Sequence, residues 1–263
     1  MRKIITLVLA LGVMMLFSNG MAQEENKTIV TVGGSYWNAT YSYQNEDGKD
    51  VYEFGTGNLF GPYLSISNGK WNFGSSMYFG TFPVEKMEAG NNLDVKRSDL
   101  NFTIGYRVHP NINVFGGVKY LKWTMSGEME YWSDYYNSTV VDYEATESGP
   151  MFGAGVGGTV PLGTSGLYAF GSIAYLVGTM KTEVKAGDYT SDENDSQDIA
   201  SKLAALNLGL GYRFPSGLGV NIGYRADLYT ESQDVENYLG GTETVDYNLG
   251  VKGLVATVSY TFK

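Results

Sequence analysis

Along most of this chain apolar residues alternate with small or polar ones at a period of two, and no other feature of the sequence restricts the fold as much. The clearest stretch puts Leu100, Phe102, Ile104, Tyr106 and Val108 on one face and Asn101, Thr103, Gly105 and Arg107 on the other. Successive side chains of a β-strand point to opposite faces, so this periodicity predicts strands and argues against helices. The pattern recurs with Leu206, Leu208, Leu210, Tyr212 and Phe214 against Asn207, Gly209, Gly211 and Arg213. It recurs from Leu218 to Ala226, and again at the C-terminus, where Leu254, Ala256, Val258, Tyr260 and Phe262 share a face. Residues 100–119 and 206–225 align without gaps, and each reads as strand, tight turn, strand. The 35 glycines and 14% aromatics suit strands joined by tight turns, and only 6 prolines interrupt them.

Extended along the chain, the alternation predicts ten strands, near residues 28–43, 53–67, 71–82, 97–108, 112–125, 149–160, 167–182, 201–214, 218–229 and 247–262. The connections between them alternate in length. Short ones fall at Asn68-Gly69, His109-Pro110-Asn111, Pro161 to Gly166 and Pro215-Ser216-Gly217. Long ones fall near 44–52, 83–96, 126–148, 183–200 and 230–246. Short turns at one end and long loops at the other are the plan of a membrane-spanning barrel. Five windows (46–53, 85–94, 128–147, 183–198 and 231–246) hold 24 of the 28 acidic residues but only Lys49, Lys86 and Lys185 among the bases, a net charge of −21. Carboxylates are therefore expected in loops and not on strands, because a charge facing lipid is costly. Tyr63, Trp71, Phe73, Tyr106, Tyr212, Phe214, Tyr260 and Phe262 lie near the short turns or the C-terminus, while Tyr120, Trp123, Tyr175 and Tyr224 lie toward the opposite ends. Such placement matches two interfacial aromatic girdles. Pro62 fits badly: it falls inside the second strand, where a closed barrel has no free edge, so a bulge or a later strand start is expected.

The N-terminus reads as a separate unit. Met1-Arg2-Lys3 is basic, Ile4 to Phe17 is an apolar run of 14, and Gly20 and Ala22 supply the small residues of a cleavage site. That run falls short of the ~20 residues a spanning helix needs. Residues 1–22 are expected to be a cleaved signal peptide and residues 23–263 one barrel domain. The chain has no cysteine, so neither a lipoprotein anchor nor a disulfide is available to it. A formal charge of −10 argues against nucleic acid as a partner and against a basic peripheral membrane protein.

The basic-apolar N-terminus, the Gly- and Tyr-rich alternating strands and the terminal Val258-Ser259-Tyr260-Thr261-Phe262-Lys263 resemble the small bacterial outer-membrane barrels of the OmpA, OmpX and opacity-protein type. The resemblance implies an all-β, antiparallel up-and-down transmembrane β-barrel, exported through the periplasm to the outer membrane. Ten strands would bring it toward OpcA-like adhesins, and eight, the number in typical members, is the alternative. It also implies outer-membrane lipid and lipopolysaccharide as surroundings, and recognition of the terminal aromatic by the barrel-insertion machinery. Lys263 after Phe262 departs from the usual aromatic end. A monomer is expected.

No catalytic constellation emerges. His109, the single histidine, sits in a turn, and the absence of cysteine removes thiol nucleophiles and soft-metal sites. Loop carboxylates share one environment, water, whereas acid–base chemistry needs two that differ. Neither enzymatic activity nor a cofactor is expected. Asp192, Asn194, Ser196 and Asp198 alternate like the start of a calcium loop, but Gln197 and Leu203 stand where its glycine and bidentate glutamate belong. Diffuse binding of divalent cations by the acidic loops is expected instead. The third long loop carries Tyr131, Trp132, Tyr135 and Tyr136, candidate ligand contacts because rigid aromatic rings give contact area at low entropic cost. The reading that ranks ahead of ligand contact is that they fold over the barrel mouth or extend its strands above the membrane. Asp99, Arg107, Lys119, Arg213, Arg225 and Asp227 share the lumen parity. They form either an internal salt-bridge network or the lining of a narrow pore. The leading expectation is a structural and surface-interaction protein presenting acidic, Tyr-rich loops. A narrow solute channel is the second, and a secreted, soluble lipocalin-like barrel the third.

Overall fold

The computed structural model describes residues 27–45, 50–86, 92–132, 138–186, 189–190, 197–236 and 242–262, and the expected signal peptide lies outside them. Ten long strands follow in chain order: β1 (Thr28–Gln44), β2 (Asp50–Asn68), β3 (Trp71–Lys86), β4 (Asn92–His109), β5 (Ile112–Trp132), β6 (Ser138–Pro161), β7 (Leu167–Ala186), β8 (Gln197–Arg213), β9 (Leu218–Glu236) and β10 (Thr242–Phe262). Each pairs antiparallel with the next. β10 returns to β1, with Val30 opposite Phe262 and Gln44 opposite Asn248. The sheet is closed, so no edge is left to recruit another chain. Tyr189–Thr190 adds a two-residue strand beyond the end of β7. The short turns behave as their residues dictate: Gly69 and Gly217 take φ of 56° and 94°, values a side chain disfavours.

The alternation resolves which side faces what. Ile104, Val220 and Val258 are 47%, 41% and 55% exposed and point away from the lumen, as do Phe73, Phe102, Phe152 and Ile222. On β9 this outer apolar surface runs from Leu218 to Leu228. At ~3.3 Å per residue and a tilt near 40°, that is a band about 25 Å tall, the hydrocarbon thickness a transmembrane barrel matches. So large a continuous apolar surface would not survive in water.

Farther from the short turns the alternation inverts. On β1 the apolar residues point outward through Tyr36 and inward from Trp37 to Ala39 and Tyr41. On β5 the change falls between Tyr120 and Leu121, and on β9 between Leu228 and Tyr229. Beyond the inversion the outer face carries exposed polar residues such as Thr40, Thr81, Ser98 and Thr179. The inner face gathers a dry core of Trp37, Leu59, Phe82, Leu121, Met151 and Val251. The molecule is thus two barrels end to end on the same strands. One half is turned inside out, with apolar residues outside and polar inside; the other is built like a water-soluble barrel.

Two expectations are corrected here. The strands are longer than the alternation suggested: β5 and β6 remain paired from Tyr131 opposite Thr139 down to Ile112 opposite Gly158. Acidic residues expected in loops, among them Asp94, Glu144, Glu147 and Glu231, therefore lie on strands. They are kept out of the apolar band and not out of the sheet. Pro62 produces neither a bulge nor a late start. It faces outward within β2 and stays opposite Gly34. On the other side the β2–β3 pairing passes from Phe60 opposite Phe79 to Tyr63 opposite Ser76. Gly61 eases this gap, since a Cβ there would fall 1.5 Å from the Met77 carbonyl oxygen.

Candidate functional site in the barrel lumen

Where the alternation inverts, the lumen is crossed by a plate of ionised side chains. Arg97 enters from β4 and donates through Nε to Asp99 Oδ1 at 2.7 Å and through Nη2 to Asp227 Oδ2 at 2.8 Å. Lys119 from β5 lies 2.9 Å from both carboxylates. Arg225 donates to Asp227 from two residues away on β9, at 3.1 and 3.0 Å. Arg97, Asp99 and Asp227 are buried, so their charges are costly unless paired, and the network supplies the pairing. Tyr229 accepts a further bond from Arg97, at 2.9 Å.

Aromatic rings hold the arginines from both sides. Arg97 lies 4.6 Å from the Trp123 ring and 5.3 Å from that of Trp37, and Arg225 sits 4.5 Å from Trp37 and 4.8 Å from Tyr78. Tyr41 stacks on Trp123 at 4.9 Å, and the dry core continues beyond it. The lumen is thereby filled, among the described residues, from the ionic plate toward the long-loop end.

Toward the short turns the lumen is open and polar. A cavity of about 410 Å³ is lined by Ser35, Tyr63, Ser76, Thr103, Asn221 and Thr257 below Arg225. A neighbouring space of about 440 Å³ reaches Asn111 and the turn at Pro110, with Arg107 on its wall. Small residues make this room. At Gly211, for example, a Cβ would strike the Tyr168 ring and the Asn221 side chain.

All six ionisable residues expected in the lumen have inward parity, and Asp99, Lys119, Arg225 and Asp227 meet in the plate. Arg107 and Arg213 do not join them. Arg107 borders the polar cavity, and Arg213 lies exposed at the short-turn rim, 5.8 Å from the Tyr168 ring. Arg97, the centre of the plate, was missed by sequence reasoning although it shares parity with Asp99. Tyr131 and Trp132 have their backbone in the β5 extension. Their side chains, and Tyr135 and Tyr136 altogether, lie outside what is described. So do residues 192–196 of the calcium-like stretch; Asp198 is exposed on β8. His109 ends β4, where its Nδ1 accepts from the Asn111 amide at 3.3 Å.

Above the plate, outside the apolar band, Glu147 and Glu231 point inward from β6 and β9. Burial pushes the Glu231 carboxyl well above the usual range, and the facing charge of Glu147 adds to the effect. Burial also raises Glu147.

No family model and no curated protein matches the sequence. Solved structures do match. The outer membrane protease OmpT from Escherichia coli aligns with a TM-score of 0.53 at 10% identity, over 92% of this chain and 100% of that one. The translocator domain of the autotransporter NalP from Neisseria meningitidis aligns with a TM-score of 0.52 at 12% identity, over 91% and 90%. The fold is therefore that of outer-membrane β-barrels. At such identities the likeness concerns the fold alone, and does not single out the OmpA or OpcA group.

Proposed function

We propose that this chain is a non-conducting outer-membrane barrel whose role is structural and interactive: the apolar band anchors it, and the soluble-like half presents acidic, aromatic surface outside the cell. One observation carries this reading, the dry core and ionic plate that close the lumen at the level where the outer face turns polar. In this reading the short turns face the periplasm and the long hairpins the exterior.

The outer surface supports that orientation. Just beyond the apolar band, on five different strands, stand Lys96, Lys122, Lys181, Lys202 and Lys252, all exposed and outward. None has an ion-pair or hydrogen-bond partner among the described residues, whereas Lys185, farther out, pairs with Glu144 at 3.3 Å. In a chain of net charge −10 this ring lies where anionic lipid phosphates would meet it, as lipopolysaccharide would supply. No catalysis is assigned, since His109 is tied into a turn and the plate carboxylates, Asp99 and Asp227, are engaged by cations.

The polar cavity below the plate favours the rival reading of a narrow solute channel. Planar-bilayer recording of the purified protein separates the two. The wild type should give no stepwise conductance; discrete openings would reject the non-conducting reading. The surface role is tested by retention of polylysine-coated beads on cells producing the protein. Retention should exceed that of non-producing cells and fall when Tyr131, Trp132, Tyr135 and Tyr136 are replaced by serine together; equal retention by producing and non-producing cells would reject it.

A further inference from the structure

We propose that Glu147 and Glu231 bind one divalent cation inside the outward half of the barrel, on the aromatic floor above the ionic plate. A ring contact across the lumen, and not the sheet register, sets the two carboxylates at one level, since β7 and β8 separate β6 from β9 in the sheet. Glu147 on β6 is the register partner of Trp123 on β5, and Glu231 follows Tyr229 by two residues on β9. The Trp123 and Tyr229 rings lie 6.1 Å apart, edge to face, and Tyr41 stacks on Trp123. Burial and then the charges of Glu231 and Glu147 raise the Tyr41 hydroxyl, and the charge of Glu147 adds to burial in raising Glu231.

Two buried like charges need a counter-charge. Among the described residues neither glutamate has an ion-pair partner. Arg97, under the floor, is committed to Asp99 and Asp227. Glu231 is 3% exposed, and its Oε1 has no hydrogen-bond partner. Beside each carboxylate the neighbouring strand offers a buried hydroxyl that is also unpartnered. Ser201 Oγ stands opposite Glu231 across β8–β9, and Thr182 Oγ1 stands opposite Glu147 across β6–β7. Ser201 is 1% exposed, so bulk water does not satisfy it.

These donors select the ligand class. All are hard oxygen atoms that accept, with no nitrogen or sulfur among them, which suits Ca²⁺ or Mg²⁺ and not a soft transition metal. One proton shared between the carboxylates would cancel one charge and leave the hydroxyl oxygens unmet. A divalent ion cancels both charges and takes the hydroxyl oxygens into its shell. This site differs from the calcium-like stretch at Asp192, Asn194, Ser196 and Asp198, which lies between β7 and the start of β8 in sequence.

The experiment uses the full chain in detergent micelles, stripped with chelator, with Tb³⁺ as probe. Trp123 and Tyr41 are placed to sensitise its luminescence. The wild type should show saturable sensitised emission that excess Ca²⁺ displaces. Glu147→Gln and Glu231→Gln should each weaken Tb³⁺ binding at least tenfold, whereas Asp192→Asn with Asp198→Asn should leave it unchanged. Emission undiminished in the double glutamine variant, or absent from the wild type, overturns the proposal. A second readout covers a variant that folds poorly. Ca²⁺ should raise the thermal unfolding midpoint of the wild type but not that of the double variant. An unmoved wild-type midpoint leaves a shared proton as the counter-charge and also overturns the site.

Discussion

Asp227 shows how much one residue can hold. It accepts from Arg97, Lys119, Arg225 and Tyr229 while fully buried. Asp227→Ala would leave three cations facing one carboxylate. Breaking a buried ion pair from one side costs about 3–5 kcal/mol. Urea unfolding in micelles should show a loss of that size, and a loss under about 1 kcal/mol would mean that the plate is solvated and the lumen open. At this scale the sequence was half legible. Parity places Asp99, Lys119, Arg225 and Asp227 on the inner face, but parity says nothing about height along the barrel. That is why Arg107 and Arg213 looked equivalent to them and proved to lie near the rim. Arg97 escaped because it opens the predicted strand, next to a stretch read as loop whose apolar residues, Leu93 and Val95, point inward, before the outward alternation begins.

At the scale of the strand, the inversion of apolar phase is the informative signal. It was present in the sequence: Tyr36 and Trp37 are adjacent large apolar residues of opposite parity, as are Leu228 and Tyr229. Reading only the outward phase located the segments in the apolar band and stopped each strand where the phase turned over. The extra turns of strand were therefore mistaken for loop. The two phases predict different responses to the same substitution. Val258→Arg, within the band, should cost about 2–4 kcal/mol when the protein folds into lipid vesicles. Thr81→Arg, on the outer face beyond the inversion, should stay within about 0.5 kcal/mol. Equal costs would mean that no boundary lies between them. Gly61→Ala tests the accommodation of Pro62. Its methyl group would meet the Met77 carbonyl, so it should destabilise by more than the ~1 kcal/mol typical of a substitution, read as an earlier urea midpoint.

For the whole molecule, ten strands, closure and the segregation of short turns from long hairpins followed from the sequence because each is set by local chemistry: alternation, turn residues and charge placement. A salt-bridge network filling the lumen was expected, but the aromatic core above it did not follow, because it depends on which inward residues from distant strands meet, and that is a matter of barrel stagger. The filling has a consequence for transport. Trp37→Ala with Trp123→Ala removes the rings that clamp Arg97 and should create conductance in planar bilayers where the wild type has none. Continued silence in a folded double variant would place the seal elsewhere.

The central claim is that lipid covers the outer face only up to the level of inversion. The chain has no cysteine, so single cysteines can be placed at will and probed with a water-soluble maleimide in lipid nanodiscs, where both rims are accessible. Thr40→Cys and Thr81→Cys should label rapidly, and Ile104→Cys, Val220→Cys and Val258→Cys should resist until detergent is added. Comparable labelling on both sides of the inversion would contradict the account.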